Sequence, residues 1–277
     1  MAPLHRVKGS YISGMLTSEL INIYAEKSVE AAGAAARTLL EVITASDEEL
    51  HIESKFDGSL VSDADFASQK VIAEILEPLK IPILSEESKA PEYSNRKDWD
   101  YFWLVDPLDG TESFLSSRSG FAVNIALCDK SGPIIGVVAD PLTNTIYFGV
   151  EGKGFSICQL DGSNSRRVKT GKARKPFRLV TSWNEKATVA ELSPPGINPL
   201  DVVARPVSGA LKFCEVALGD AEIHSRTGPY MEWDCAAGDG ILRSIGIDVY
   251  DRNTDERIKY NTKDLRVNGL YCSRVKQ

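Results

Sequence analysis

The chain has 277 residues, 43% hydrophobic and 26% charged, with 32 Lys and Arg against 39 Asp and Glu for a formal net charge of −7. That length supports a large core without disulfides, and the composition excludes wholesale disorder. The acidic balance argues against binding a nucleic-acid polymer, but not against a small anionic substrate, because bound cations can reverse the local sign.

Residues 18–45 read as one long helix that Ser18 can cap, with Leu20, Ile23, Ala31, Ala34, Leu39 and Ile43 near helical spacing. The run Asp57-Gly58-Ser59-Leu60-Val61-Ser62-Asp63-Ala64-Asp65 precedes a second helix over 64–77, ended by Pro78. Ile81, Ile83 and Leu84 then alternate into Ser85-Glu86-Glu87-Ser88, and the polar residues 89–99 read as a loop. A strand from Tyr101 to Val105 is expected to break at Asp106-Pro107. The apolar runs 121–128 and 133–139 form a hairpin with a loop longer than two residues, and 145–150 adds a strand. Gly152-Lys153-Gly154 lacks the GxxxxGK[ST] pattern and reads as a hairpin turn.

The polar, basic stretch 160–176 divides an α+β half, residues 1–165, from an α/β half, residues 166–277. Beyond it, strands at 178–182, 202–207, 220–225 and 247–250 alternate with helices at 209–218 and 234–245.

Five cysteines, Cys128, Cys158, Cys214, Cys235 and Cys272, without a CxxC, read as small buried hydrophobes in a reducing compartment. The first 17 residues carry His5, Arg6 and Lys8 but no apolar run of seven, and no stretch approaches the roughly 20 apolar residues of a membrane span. A cytoplasmic protein without integral membrane contact is expected. His5, His51 and His224 are not spaced for a nucleophile or a zinc cluster, and Trp99 and Trp103 read as packing residues.

Four acidic sites fall where an element starts or stops: Asp57–Asp65, Glu86-Glu87, Asp106-Pro107-Leu108-Asp109-Gly110-Thr111-Glu112-Ser113, and Trp233-Asp234. Singly, each fits a solvated turn or a helix cap. In the third, Pro107 keeps Asp106 out of helical space and Gly110 permits close approach of a ligand. Asp106 and Asp109 converging there would repel each other unless a cation lay between them. Together, without clustered His or Cys, the four sites point to a hard oxygen site for Mg²⁺.

Trp103-Leu104-Val105-Asp106-Pro107-Leu108-Asp109-Gly110-Thr111 and Trp233-Asp234-Cys235-Ala236-Ala237-Gly238 resemble the paired signatures of the inositol-monophosphatase superfamily of Mg²⁺-dependent, lithium-sensitive phosphatases. Tyr101–Val105, Val123–Leu127, Pro133–Val138, Leu211-Lys212-Phe213-Cys214 and Arg226-Thr227-Gly228-Pro229 are most similar to its 3'(2'),5'-bisphosphate nucleotidases. The resemblance implies a layered αβαβα sandwich of the sugar-phosphatase type. It also implies hydrolysis of adenosine 3',5'-bisphosphate to AMP and phosphate with two or three Mg²⁺ ions.

By that resemblance, Glu86, Asp106, Asp109, Asp234 and the Leu108 carbonyl match the metal ligands. Asp65 and Thr111 match the pair that orients the attacking water. Gly110 and Thr111 match the phosphate cradle, and Lys212 and Arg226 match positions that hold the nucleotide. Leu60, Ser62, Glu112-Ser113 and Gly209 depart from the family pattern, the last two beside the phosphate sites. The partner is then a small phosphorylated molecule. Inositol monophosphate or a sugar phosphate remains an alternative substrate, and a non-catalytic phosphate-binding role a further one. The sequence is compatible with a homodimer and with peripheral attachment to the inner membrane.

Overall fold

The computed structural model describes residues 16–45, 52–54 and 60–275. Asp57, Gly58 and Ser59 of the first acidic segment lie outside the described residues, as do His5, Arg6, Lys8 and His51. Helix α1 (Ser18–Ala45) fills the span its periodicity indicates. Its cap is Thr17, not Ser18: the Leu20 N–H donates to the Thr17 hydroxyl at 3.3 Å. A hairpin of β1 (Ile52–Ser54) and β2 (Leu60–Ser62) leads into α2 (Asp63–Leu76), and Pro78 lies in the 3-10 turn that ends it. Strand β3 (Ile83–Ser85) follows, then α3 (Tyr93–Arg96), a single turn within the stretch whose polarity points to a loop.

Strand β4 (Tyr101–Asp109) does not stop at Asp106-Pro107 as the proline suggests. It continues through a bulge, and the bulge absorbs the missing proline N–H. Short α4 (Thr111–Ser117), framed by left-handed Gly110 and Arg118, is too brief for periodicity to reveal. Strands β5 (Ala122–Asp129) and β6 (Gly132–Asp140) close over only Lys130 and Ser131, a tighter loop than the sequence indicates. The Asp129 carboxylate accepts from the Ser131 N–H at 2.7 Å and shortens the turn. Then come β7 (Thr145–Val150), β8 (Gly154–Cys158) and β9 (Arg166–Arg167), with Gly152-Lys153 turning between β7 and β8.

The rest of the chain runs β10 (Phe177–Thr181), α5 (Val189–Leu192), β11 (Val202–Pro206), α6 (Leu211–Leu218) and β12 (Ile223–Arg226). It continues with β13 (Tyr230–Met231), α7 (Glu232–Arg243), β14 (Val249–Asp251), β15 (Arg266–Val267) and β16 (Leu270–Ser273).

Two large sheets result. The first has the order β3-β4-β5-β6-β7-β8-β9 and is antiparallel apart from the β3–β4 pair. The second has the order β11-β10-β12-β16-β14; β10 runs parallel to both neighbours, and β16 is antiparallel to β12 and β14. Residues of β4 alternate up to the bulge: Trp103 and Val105 join a core with α1 and α2, while Phe102 and Leu104 face a second core with α6 and α7. Both faces of the first sheet are therefore apolar. A third, smaller core joins Leu192 of α5 to the far side of the second sheet. The layers read α, β, α, β, α, the sandwich the resemblance implies. The middle core draws on both halves of the chain, from Leu84 to Cys272.

Helix α7 is the central brace. At Gly136 of β6 an added Cβ would come within 2.1 Å of the Ala237 carbonyl, and at Gly240 within 2.8 Å of the Gly136 nitrogen. Bare backbone on both elements lets helix and sheet touch. All five cysteines are free and buried. Among the described residues, no helix is long and apolar enough to cross a membrane.

Buried on α7, Asp239 accepts from the Tyr260 hydroxyl at 2.9 Å, while its other oxygen has no partner among the described residues. Burial raises its pKa to about 7. The folded state thus holds a proton that the unfolded chain releases near pH 4. The resulting stabilisation is full below that pH and is lost as pH rises through 7. Asp239→Asn should therefore flatten this slope, gaining on the order of 4 kcal/mol over wild type above pH 8 relative to pH 4. Melting midpoints of both proteins from pH 5 to 9 test this; parallel curves would refute it.

Candidate active site

The carboxyl ends of the parallel strands of both sheets converge on one cavity of about 660 Å³. Ligands favour this edge of parallel strands, because loops there can be varied without disturbing the sheet. Glu86 follows β3, and its N–H extends the pairing by donating to the Val105 carbonyl at 3.1 Å. Asp106 and Asp109 come from the end of β4. In the β4–β5 register, Asp106 lies opposite Asn124 and Asp109 opposite Ala122, so three steps on one strand match two on the other. Positions i and i+3 of a regular strand face opposite ways; the extra residue turns both aspartates to one side. Gly110, at φ 93°, then bends the chain into α4, where a Cβ would meet the Gly120 carbonyl oxygen at 2.8 Å.

Asp234 arrives from α7. The helix begins at Glu232, not at 234, so Asp234 occupies its first turn and accepts from the Met231 N–H at 2.8 Å. Asp65 plays the same part on α2, accepting from the Ser62 N–H and hydroxyl, each at 2.7 Å. The bland capping role and a place at the site are thus held by the same side chains.

Oxygens of Glu86, Asp106 and Asp234 lie within 4.8 Å of one another. Burial, and then the charge of Glu86, holds Asp106 well above the usual carboxylate range; Asp109 and Asp234 add to this. Burial and the charges of Asp109 and Glu86 do the same to Asp234. Asp109 is fixed by the Asn124 amide at 3.0 Å and by the Ala210 N–H. Gly209 explains itself here: a Cβ would stand 2.6 Å from an Asp109 oxygen. The donor set is oxygen only, and its crowded carboxylates are costly together without a cation. It fits a hard divalent ion such as Mg²⁺.

Thr111 faces Asp65 and the Leu108 carbonyl, each 3.1 Å from its hydroxyl oxygen. All the sequence-indicated residues line the cavity except Asp65, which is 1% exposed and stands behind Thr111. Lys212 lines the cavity but is also only 1% exposed, and its ammonium donates to the Val207 carbonyl at 3.3 Å. Burial lowers its pKa to about 8. Arg226, at the end of β12, donates to the Ser182 hydroxyl at 2.9 Å and rests 4.6 Å from the centre of the Tyr230 ring.

The remaining wall, Ser182, Trp183, Asn184, Val207, Ser208 and Tyr230, escapes sequence reasoning. Ser182 and Val207 directly follow β10 and β11. Their position at the ends of the expected strands 178–182 and 202–207 is the one signal that could have found them.

The inositol monophosphatase family model matches residues 23–276. The chain is 37% identical over 205 residues to the 3'(2'),5'-bisphosphate nucleotidase CysQ of Escherichia coli O6:H1, covering 73% of this chain and 80% of that protein. It is 30% identical to the namesake enzyme of Haemophilus influenzae, covering 80% and 82%. The structure of CysQ from Bacteroides thetaiotaomicron, a bacterial member of the inositol monophosphatase family, superposes with a TM-score of 0.76 at 30% identity, covering 92% of this chain and 98% of that one.

Proposed function

The chain belongs to the inositol monophosphatase family, and from that premise we propose that it removes the 3'-phosphate of adenosine 3',5'-bisphosphate, giving AMP and phosphate. One observation carries this reading beyond the relatives' names. A single cavity is lined both by the carboxylate cluster and by the cations Arg226 and Lys212, so it can pair a metal-held phosphate with a second phosphate held by side chains. Glu86, Asp106, Asp109, Asp234 and the Leu108 carbonyl would hold two or three Mg²⁺ ions. Bound there, Mg²⁺ supplies charge neutralisation on the phosphoryl oxygens and on the leaving alkoxide, and lowers the pKa of water.

The chain's own groups do the rest. Gly110 and Thr111 cradle the phosphate beside the bulge. Both partners of the Thr111 hydroxyl are acceptors, so its hydrogen points at one of them and its lone pairs stay open to water. Water donating to Thr111 is thereby oriented for in-line attack, and Asp65 takes the proton through the hydroxyl. Arg226 grips the second phosphate, preset by Ser182 and Tyr230, and Lys212 adds positive charge. The free, buried cysteines support a reducing, cytoplasmic setting.

Glu112 favours a second reading. A carboxylate on this cavity wall suits the hydroxyls of an inositol or sugar monophosphate better than another phosphate. Arg226→Ala separates the two. A charge-assisted contact is worth roughly 1.5–3 kcal/mol, so the KM for adenosine 3',5'-bisphosphate should rise about 10- to 150-fold. Activity on myo-inositol 1-phosphate should hardly change. Equal losses, or a wild type that prefers the inositol phosphate, would overturn the nucleotidase reading.

A further inference from the structure

The basic stretch that divides the two halves of the chain has no part in the active cavity. Residues 166–178 carry seven Lys and Arg and no Asp or Glu, in a chain of net charge −7. Like charges this dense repel, yet here part of the run is drawn into a wall. The Thr170 hydroxyl ties it to α6, donating to the Ala217 carbonyl at 2.5 Å. Arg274, after β16, has a side chain only 5% exposed and donates to the Glu222 carboxylate at 2.9 Å, to the Gly219 carbonyl at 3.2 Å and to the Gly171 carbonyl. Arg178 holds Glu222 as well, through its own N–H at 2.9 Å and its guanidinium at 2.9 and 3.0 Å. The result is a hollow of about 470 Å³ whose charged lining is Lys172, Arg174, Lys175, Arg178, Arg274 and Glu222.

Charge in this hollow does not balance. Buried Glu222 is shared by Arg178 and Arg274, and Asp220 acts on the same two arginines. Asp201 pairs with Lys175 at 2.5 Å. Lys172 and Arg174 are exposed and have neither an ion-pair nor a hydrogen-bond partner among the described residues. Two positive charges are thus left over on the wall of a concave site. We propose that the hollow binds a doubly charged phosphate group, either inorganic phosphate or the phosphate of a small monoester, gripped by Lys172 and Arg174. A guanidinium offers paired donors to phosphate oxygens, and the ammonium adds a point charge beside it. The hollow also has room for the organic part of a small ester. The site is separate from the active cavity, with no lining residue in common. Arg178 stands at the start of β10 and Glu222 just before β12, so the hollow lies at the amino ends of these parallel strands, whose carboxyl ends lead to Ser182 and Arg226. The assignment therefore holds whichever phosphorylated substrate the active cavity takes.

The test is a calorimetric titration with inorganic phosphate in excess chelator, which removes metal-assisted binding at the active cavity. Wild type, Arg226→Ala and the double variant Lys172→Ala with Arg174→Ala are compared. Wild type and Arg226→Ala should both bind one equivalent. The double variant should bind at least about 10-fold more weakly, the loss of one or two charge-assisted contacts. Both replaced side chains are exposed, so the variant keeps its packing. Phosphate should also raise the melting midpoint of wild type more than that of the double variant. Stabilisation by salt exclusion raises both alike and cancels in the comparison. Binding lost in Arg226→Ala and kept in the double variant would place the anion in the active cavity and overturn the proposal. So would weak, unsaturable heats that are equal in all three proteins. A last arm uses vesicles of phosphatidylglycerol against vesicles of phosphatidylcholine. If wild type ignores free phosphate but adsorbs to the anionic vesicles, and the double variant does not, the patch reads a lipid surface and the small-anion site is refuted.

Discussion

Asp106→Asn is expected to lower kcat by several orders of magnitude while raising the melting midpoint measured in chelator. The two effects have one cause. Asp106 is buried beside Glu86, Asp109 and Asp234, and burial first, then the charges of those three neighbours, holds its pKa high. An amide keeps the shape and removes one of the repelling charges, so the metal-free protein gains stability. The same change takes a ligand from the cluster, so added Mg²⁺ should raise the midpoint of wild type and raise that of the variant much less. Calorimetry with and without Mg²⁺, beside turnover assays, reads both effects. Undiminished turnover of wild type in excess chelator would sink the metal assignment.

Thr111→Ala should cut kcat about 10²- to 10⁴-fold, the usual worth of a positioned proton acceptor, with KM nearly unchanged. Asp65 is one residue removed from the cavity and acts through Thr111, so Asp65→Asn should also act on kcat. Thr111→Ser retains the hydroxyl and should recover most of the rate. A rise in KM alone would make Thr111 a phosphate ligand and nothing more. Steady-state kinetics on purified variants decides between these outcomes.

Much of this arrangement can be read from the chain. The apolar period of α1 and the unbroken apolar runs of β5 and β6 announce themselves, because burial selects residues at helical spacing on a one-faced helix and all along a strand covered on both faces. The acidic groups stand out because they sit at element ends. The bulge is not legible: proline argues for a break, and only pairing with β5 shows that the strand continues. The roles proposed for Lys212 and Arg226 came from resemblance, not from spacing. Trp183 is silent in sequence, since its neighbours at the cavity depend on β10 lying between β11 and β12. Sheet order is a long-range property, and local pattern carries little of it.

The order of that second sheet also bears on biosynthesis. Strand β16 is made after every strand it joins, yet it lies inside the sheet, between β12 and β14. A nascent chain that has finished β12 still carries an open edge there, with Arg226 on an unsupported strand. Such an edge is a template for wrong pairing between chains. The chain must therefore wait for residues 270–273 before this sheet can close, and the burden on chaperones falls late in translation.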